Sequence, residues 1–206
     1  MYITIFKRVE DLLVFFLCLP VFLIVCIILG GLIKLEDGGP VFYKADRIGR
    51  QYKIFKMYKF RSMKVNAPQL INSDGSTYNS KNDPRVTRIG KFIRETSLDE
   101  LPQLINVLKG DMSIIGPRPS LSSAIGSFRN DESDKMKALP GITGYTQAYF
   151  RNSLTNREKR LNDAYYANNM SFCLDARIFI KTIQTVVSRK GIYTNSVIFY
   201  GLMLIE

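Results

Sequence analysis

Residues 12–33, "LLVFFLCLPVFLIVCIILGGLI", decide how the rest of the chain is arranged. They make a run of 22 residues without a charge. As a helix rising 1.5 Å per residue, such a run reaches about 33 Å, just enough to cross a bilayer. A secretory signal is the poorer reading, because the run is long and no small-residue cleavage site follows it. Two features bear on topology. Pro20 stands inside the run, where it removes a backbone donor and kinks a helix. Both flanks are basic as well: Lys7 and Arg8 come before it, and Lys34, Lys44, Arg47, Arg50, Lys53 and Lys56 come after. Cationic flanks belong on the cytoplasmic side. A spanning helix satisfies that preference at one end only, whereas a helix-break-helix that bends near Pro20 satisfies it at both. On these residues alone the two topologies stand level.

The chain of 206 residues is 46% apolar, which allows one domain with a real core. Its 29 basic and 18 acidic side chains give a net charge of +11. That excess points to an anionic partner: nucleic acid, anionic lipid or a phosphorylated small molecule. There is no histidine, which excludes Ser-His and Cys-His nucleophile pairs and a His-ligated metal. The three cysteines, Cys18, Cys26 and Cys173, have no paired spacing. A disulfide scaffold and a zinc site are therefore not expected.

Beyond the turn-rich Glu36–Pro40, the aromatic and apolar residues of 41–43 and 52–60 predict a β-hairpin, with Arg47-Ile48-Gly49-Arg50 between its arms. Residues 65–84 are polar and predict a loop. Residues 85–111, "RVTRIGKFIRETSLDELPQLINVLKGD", predict two helical pieces, with Arg85, Arg88, Lys91 and Arg94 on one broad face. Further helices are predicted from Ser153 to about Met170 and from Ser171 to Arg189, the second capped by Ser171 and ended by Lys190-Gly191. The apolar tail, residues 196–206, is too short to span a membrane.

At the centre of this basic region stand two acids, Asp99 and Glu100, in "TSLDELPQ" (residues 96–103). Helix capping is one explanation. Ser97 and Glu100 fit the S-x-x-E box, and Asp99 fits the cap position itself, with Pro102 in the first turn. Chemistry on phosphate is the other. A helix start attracts phosphate, and a carboxylate there can bind Mg²⁺ or attack phosphorus. Downstream, Arg118 lies between Pro117 and Pro119. Its backbone has little freedom, which suits a guanidinium pre-positioned for phosphate.

In this order after an apolar segment, "YKFRSM" (58–63), "IRETSLDELPQLINVLKGDMSIIGPRP" (93–119) and "LPGITGYTQ" (139–147) resemble the bacterial sugar transferase family. More narrowly, they are similar to its small monotopic phosphoglycosyl transferases. The resemblance covers Lys7 to about Lys190. It implies a mostly helical α+β fold. Residues 1–36 would be a re-entrant membrane helix-break-helix with its kink at Pro20, and 37–206 a small cytoplasmic catalytic domain with amphipathic interface helices. It also implies transfer of a phosphosugar from a UDP-sugar to undecaprenyl phosphate, with Mg²⁺ and release of UMP. Asp99 would be the nucleophile and a metal ligand, and Glu100 its partner acid. Lys59, Arg94 and Arg118 would bind phosphate. The implied setting is the cytoplasmic face of the bacterial inner membrane, with membrane lipid but no nucleic acid as a partner, and self-association left open. Two departures from the family pattern are visible: Leu19 precedes Pro20 where a serine is usual, and Phe150 precedes Arg151-Asn152 where a small residue is common.

The competing class is a membrane-anchored basic binding module for anionic lipid or nucleic acid. It accounts for the charge and the anchor. It gives no reason for a carboxylate pair inside the basic face, where acids weaken phosphate binding.

Overall fold

The apolar run folds as one helix, α1 (Lys7–Asp37), entered through a π-helical turn at Tyr2–Phe6. The structure is a computed structural model and describes residues 2–68, 70, 78, 80, 82–151 and 153–187. Most of the 65–84 loop sequence between 69 and 81, Asn152, the Lys190-Gly191 helix end and the apolar tail lie outside the described residues. Helical backbone is continuous through Pro20, so the expected break is not an interruption of the helix. The physical reason is that a proline removes only its own N–H, and the i→i−4 bonds on either side persist. α1 ends at Gly38, whose left-handed φ of 71° lets its N–H reach the Lys34 carbonyl at 2.9 Å.

Phe15, Phe22, Leu29 and Ile33 form the buried stripe of α1. Leu13, Phe16, Leu17, Ile24, Ile27 and Ile28 are exposed, from 55% at Ile28 to 80% at Leu17. Among the described residues, α1 is the one helix long and apolar enough to cross a membrane. Both of its ends are bound to the globular body. Near the start, Lys7 pairs with Asp175 and donates to the Tyr166 hydroxyl at 3.1 Å. Arg8 donates to the carbonyls of Val107 (2.6 Å) and Leu108 (2.9 Å). The Asp11 carboxylate accepts from Ser113 Oγ (2.9 Å) and the Ile114 N–H (2.8 Å). At the far end Glu36 accepts from the Arg88 N–H at 2.7 Å, and Asp37 pairs with Arg61.

The hairpin forms as expected, with different bounds. β1 (Phe42–Ile48) and β2 (Ile54–Phe60) pair antiparallel from Phe42↔Phe60 to Ile48↔Ile54, around a 3₁₀ turn at Arg50–Tyr52. Arg47 and Ile48, expected between the arms, belong to β1, because Ile48 is fully buried and draws the strand on. Next, α2 (Arg88–Glu95) begins at a Thr87 cap whose hydroxyl accepts from the Gly90 N–H at 2.9 Å. Arg85 therefore lies outside the helical face where threefold spacing had placed it. It is buried against Asp83 at 2.6 Å instead. Gly90 allows α2 to approach the end of the hairpin, since a Cβ there would lie 2.0 Å from the Ser62 carbonyl oxygen.

α3 (Gln103–Lys109) ends at Gly110, again with a left-handed φ, of 85°. β3 (Ser113–Ile115) follows, and then β4 (Ser120–Leu121), which joins β1 to complete a sheet ordered β2-β1-β4. α4 (Asn130–Ser133) leads to β5 (Gly141–Thr143), which is parallel to β3. α5 (Tyr145–Tyr149), α6 (Asn156–Asn168) and α7 (Phe172–Val187) complete a mostly helical chain with two small sheets. α6 starts at a Thr155–Glu158 capping box. Ser171 caps α7 as expected, its Oγ accepting from the Leu174 N–H at 3.3 Å. On α7, Ile178 packs with Tyr166 in the core, while Phe172, Phe179, Ile180 and Ile183 are exposed.

α1 is part of this core. Leu29 and Ile33 pack with Phe60 and Ile93. Phe15 and Phe22 pack with Leu104 of α3.

Candidate active site

α2 and α3 are joined by a tight 3₁₀ turn, Leu98–Glu100, which carries both acids. Ser97 enters it with φ 58°, in the left-handed region. For a residue other than glycine that conformation costs on the order of 1–3 kcal/mol and is typical of functional turns. The capping explanation does not hold here. Ser97 makes no side-chain cap bond, and the N-cap of α3 is Pro102, which makes none either. The two carboxylates are aimed elsewhere.

Their partners come from the hairpin and from the proline-flanked segment 117–119 between β3 and β4. Lys59, near the end of β2, places its Nζ 2.7 Å from Glu100 Oε1 and 3.3 Å from Asp99 Oδ2. Arg118 Nη2 donates to the same Glu100 oxygen at 3.3 Å. The Asp99, Glu100 and Lys59 side chains are only 15%, 21% and 18% exposed, while Arg118 is 53% exposed and forms the open rim. Lys135 fixes the rim from behind. Its Nζ donates to the Arg118 carbonyl at 3.1 Å and pairs with Asp163 at 3.0 Å. Arg94 Nε donates to Ser62 Oγ at 2.9 Å, and its charge reaches Asp99.

Thus Lys59 and Arg118 meet the dyad directly, and Arg94 stands beside it. Pro20 lies inside the apolar helix α1. Arg47 was read as a basic flank and as part of the hairpin connection, not as a site residue, yet it feels the charges of both Arg118 and Glu100. Its membership depends on strand register, which composition does not reveal.

The environment divides the two acids. Burial pushes Asp99 upward against the pull of Lys59, and the neighbouring Glu100 charge adds to the rise. Burial acts on Glu100 in the same direction, but Lys59 and Arg118 together outweigh it and hold that carboxyl down at about 2. Glu100 is therefore a fixed anion that gathers cations. Asp99 is the more basic carboxylate and so the better nucleophile once ionised. Among the described residues no three Asp, Glu, His or Cys side chains cluster as a metal cage. Asp99 and Glu100 nevertheless offer paired hard oxygens, the donor set Mg²⁺ takes when substrate phosphates and water complete its shell.

Residues 2–189 match the bacterial sugar transferase family, and the chain belongs to that family of enzymes. It is 42% identical to the undecaprenyl-phosphate galactose phosphotransferase of Salmonella typhimurium (strain LT2) over 169 residues, 77% of this chain and 36% of that one. It is 40% identical to the UDP-N-acetylgalactosamine-undecaprenyl-phosphate N-acetylgalactosaminephosphotransferase of Aeromonas hydrophila over 191 residues, 90% of this chain and 44% of the other. Identity to the exopolysaccharide production protein ExoY of Sinorhizobium fredii is 36% over 202 residues, 91% and 88% of the two chains. The chain thus spans less than half of the first two relatives and most of the third.

Proposed function

We propose that the protein transfers a phosphosugar from a UDP-sugar to undecaprenyl phosphate, releasing UMP, as the membrane-committed first step of surface glycoconjugate assembly. The observation that carries this reading is the carboxylate pair itself. It is free of capping, shielded from solvent, and held under Lys59 and Arg118 at 2.7–3.3 Å. A module that only bound anions would have no use for two acids there.

In this mechanism an Asp99 carboxylate oxygen attacks the β-phosphorus of the UDP-sugar. The bond from that phosphorus to the oxygen bridging the two phosphates breaks, and UMP leaves with that oxygen. The phosphosugar remains on Asp99 as an acyl phosphate. A phosphate oxygen of undecaprenyl phosphate then attacks the same phosphorus, the Asp99–phosphorus bond breaks, and the carboxylate is restored. Lys59, Arg94 and Arg118 bind the phosphates and offset their charge. Glu100 stays ionised and keeps Lys59 and Arg118 in place. Mg²⁺, held by Asp99 together with substrate phosphate, would neutralise the diphosphate when bound.

A covalent route lets UMP leave before the lipid arrives, so ping-pong kinetics are expected. Purified protein with Mg²⁺ and a panel of UDP-sugars should release UMP. Double-reciprocal plots at several fixed undecaprenyl phosphate concentrations should be parallel. Intersecting lines with no trappable adduct would mean direct transfer in a ternary complex.

We also assign residues 1–36 as a re-entrant membrane segment and 37–206 as a catalytic domain on the cytoplasmic face of the inner membrane. The polar contacts at both ends of α1 support this reading. Lys7, Arg8 and Asp11 at one end, and Glu36 and Asp37 at the other, all bind the same globular body. A helix tethered at both ends to one body does not leave it on the far side of a bilayer. Pro20, near the middle, is the natural point of bending. Accordingly, Ile5→Cys in a background with Cys18, Cys26 and Cys173 replaced should resist an impermeant thiol reagent added to intact cells, and react once the cells are opened. Labelling in intact cells would restore the spanning helix.

A further inference from the structure

Directly opposed residues in an antiparallel pair share one face of the sheet. The pairs Tyr43↔Lys59, Ala45↔Met57 and Arg47↔Phe55 therefore put Arg47 on the face that carries Lys59. On its other side β1 pairs with β4, through Arg47↔Leu121 and Ile48↔Ser120. Arg118 lies two residues ahead of Ser120, so the same pairing brings the proline-flanked rim beside Arg47. The Arg47 side chain thus shares the face of the sheet that carries Lys59 and lies close enough to Arg118 and Glu100 to feel their charges. Its Nε is buried and has no hydrogen-bond acceptor. Burial and the like charge of Arg118 both work against its ionisation, with only Tyr43 and Glu100 in its favour.

A charged donor withheld from water without an acceptor is costly, and folds rarely keep one unless a ligand supplies the acceptor. The charges around the dyad agree. Lys59, Arg118 and Arg47 outnumber Asp99 and Glu100, which leaves a local positive excess for an incoming anion. We propose that Arg47 is a phosphate-binding residue of this site, its guanidinium donating to a phosphoryl oxygen of the nucleotide-sugar diphosphate alongside Arg118. The proposal rests on the reading of the substrate as a diphosphate. It adds a fourth cation, contributed from the middle strand of the sheet.

The test is calorimetric binding of inorganic pyrophosphate to the full chain in lipid nanodiscs. A hydrogen bond to a charged partner is worth about tenfold to a hundredfold in affinity. Arg47→Gln should weaken pyrophosphate binding by that factor with an unchanged Tm. Arg50→Gln, which removes the same charge from the exposed turn of the hairpin, should change it by less than about twofold, since exposed charges act weakly. Should Arg47→Gln fold poorly, Arg47→Lys keeps the charge and loses the fork, and about a tenfold loss is expected. Unchanged affinity in the Arg47 variants, an equal loss in Arg50→Gln, or no pyrophosphate binding by the wild type would each overturn the assignment. A lowered Tm with unchanged affinity would mean that Arg47 only shapes the sheet. The transfer reaction is judged separately, by UMP release: a wild type that binds pyrophosphate through Arg47 but releases no UMP removes the proposed function and leaves the anion site standing.

Discussion

Asp99→Asn is expected to abolish turnover, with a loss in kcat of about 10⁴-fold or more, the scale seen when a covalent nucleophile is removed. The fold should survive. Asparagine has nearly the shape of aspartate, and Lys59 keeps its closer partner, Glu100, at 2.7 Å. Burial already disfavours the Asp99 charge, so removing that charge relieves a cost rather than creating one. Two measurements carry the test: a thermal melt that matches the wild type, and mass spectrometry of the protein after incubation with UDP-sugar alone. The peptide containing residue 99 should gain a sugar phosphate in the wild type and not in the variant. Turnover within tenfold of the wild type would end Asp99's role as nucleophile.

Lys59→Met should produce the next largest effect, about 10²–10³-fold in kcat, the usual consequence of removing one donor to developing charge. It also carries a pH signature whose sign is fixed. The Lys59 charge lowers the pKa of both Asp99 and Glu100. Without it both carboxyls titrate at higher pH, and Asp99 is protonated over a wider acidic range. A protonated Asp99 cannot attack, so the acid limb of the kcat/KM profile should move to higher pH. Glu100 has the opposite influence, since its negative charge raises Asp99. Glu100→Gln should therefore move the same limb to lower pH. A limb that stays in place in Lys59→Met would show that the titrating group is not part of this cluster.

The hairpin, the helical pieces and the dyad were legible because each has a local signature: aromatic-rich arms, threefold spacing, and two acids in a basic field. What the sequence obscured was decided at long range. Ser97 and Glu100 look like a capping box, but the left-handed backbone at Ser97 turns its hydroxyl away from that task. Arg85 keeps the spacing of α2 and yet precedes its cap, where the buried Asp83 holds it. Arg47 was hidden altogether, because a strand's face is known only once its register is known. The same holds for Lys7 and Asp11. Lys7 read as a flank charge and Asp11 carried no signal, and their buried partners lie between 102 and 168 residues away in sequence.

Arg8 has a further consequence. It reaches from the first turn of α1 to the carbonyls of Val107 and Leu108, at the end of the helix that follows the dyad, while Phe15 and Phe22 pack with Leu104 in that same helix. The apolar helix is thus a beam of the catalytic body rather than a mooring line attached to it. Pulling it out of its surroundings would strip the cover from α3 and loosen the turn that carries Asp99. Removal of the first helix is therefore expected to lower the stability of the whole fold, read as a drop in Tm, and not merely to free it from an anchor.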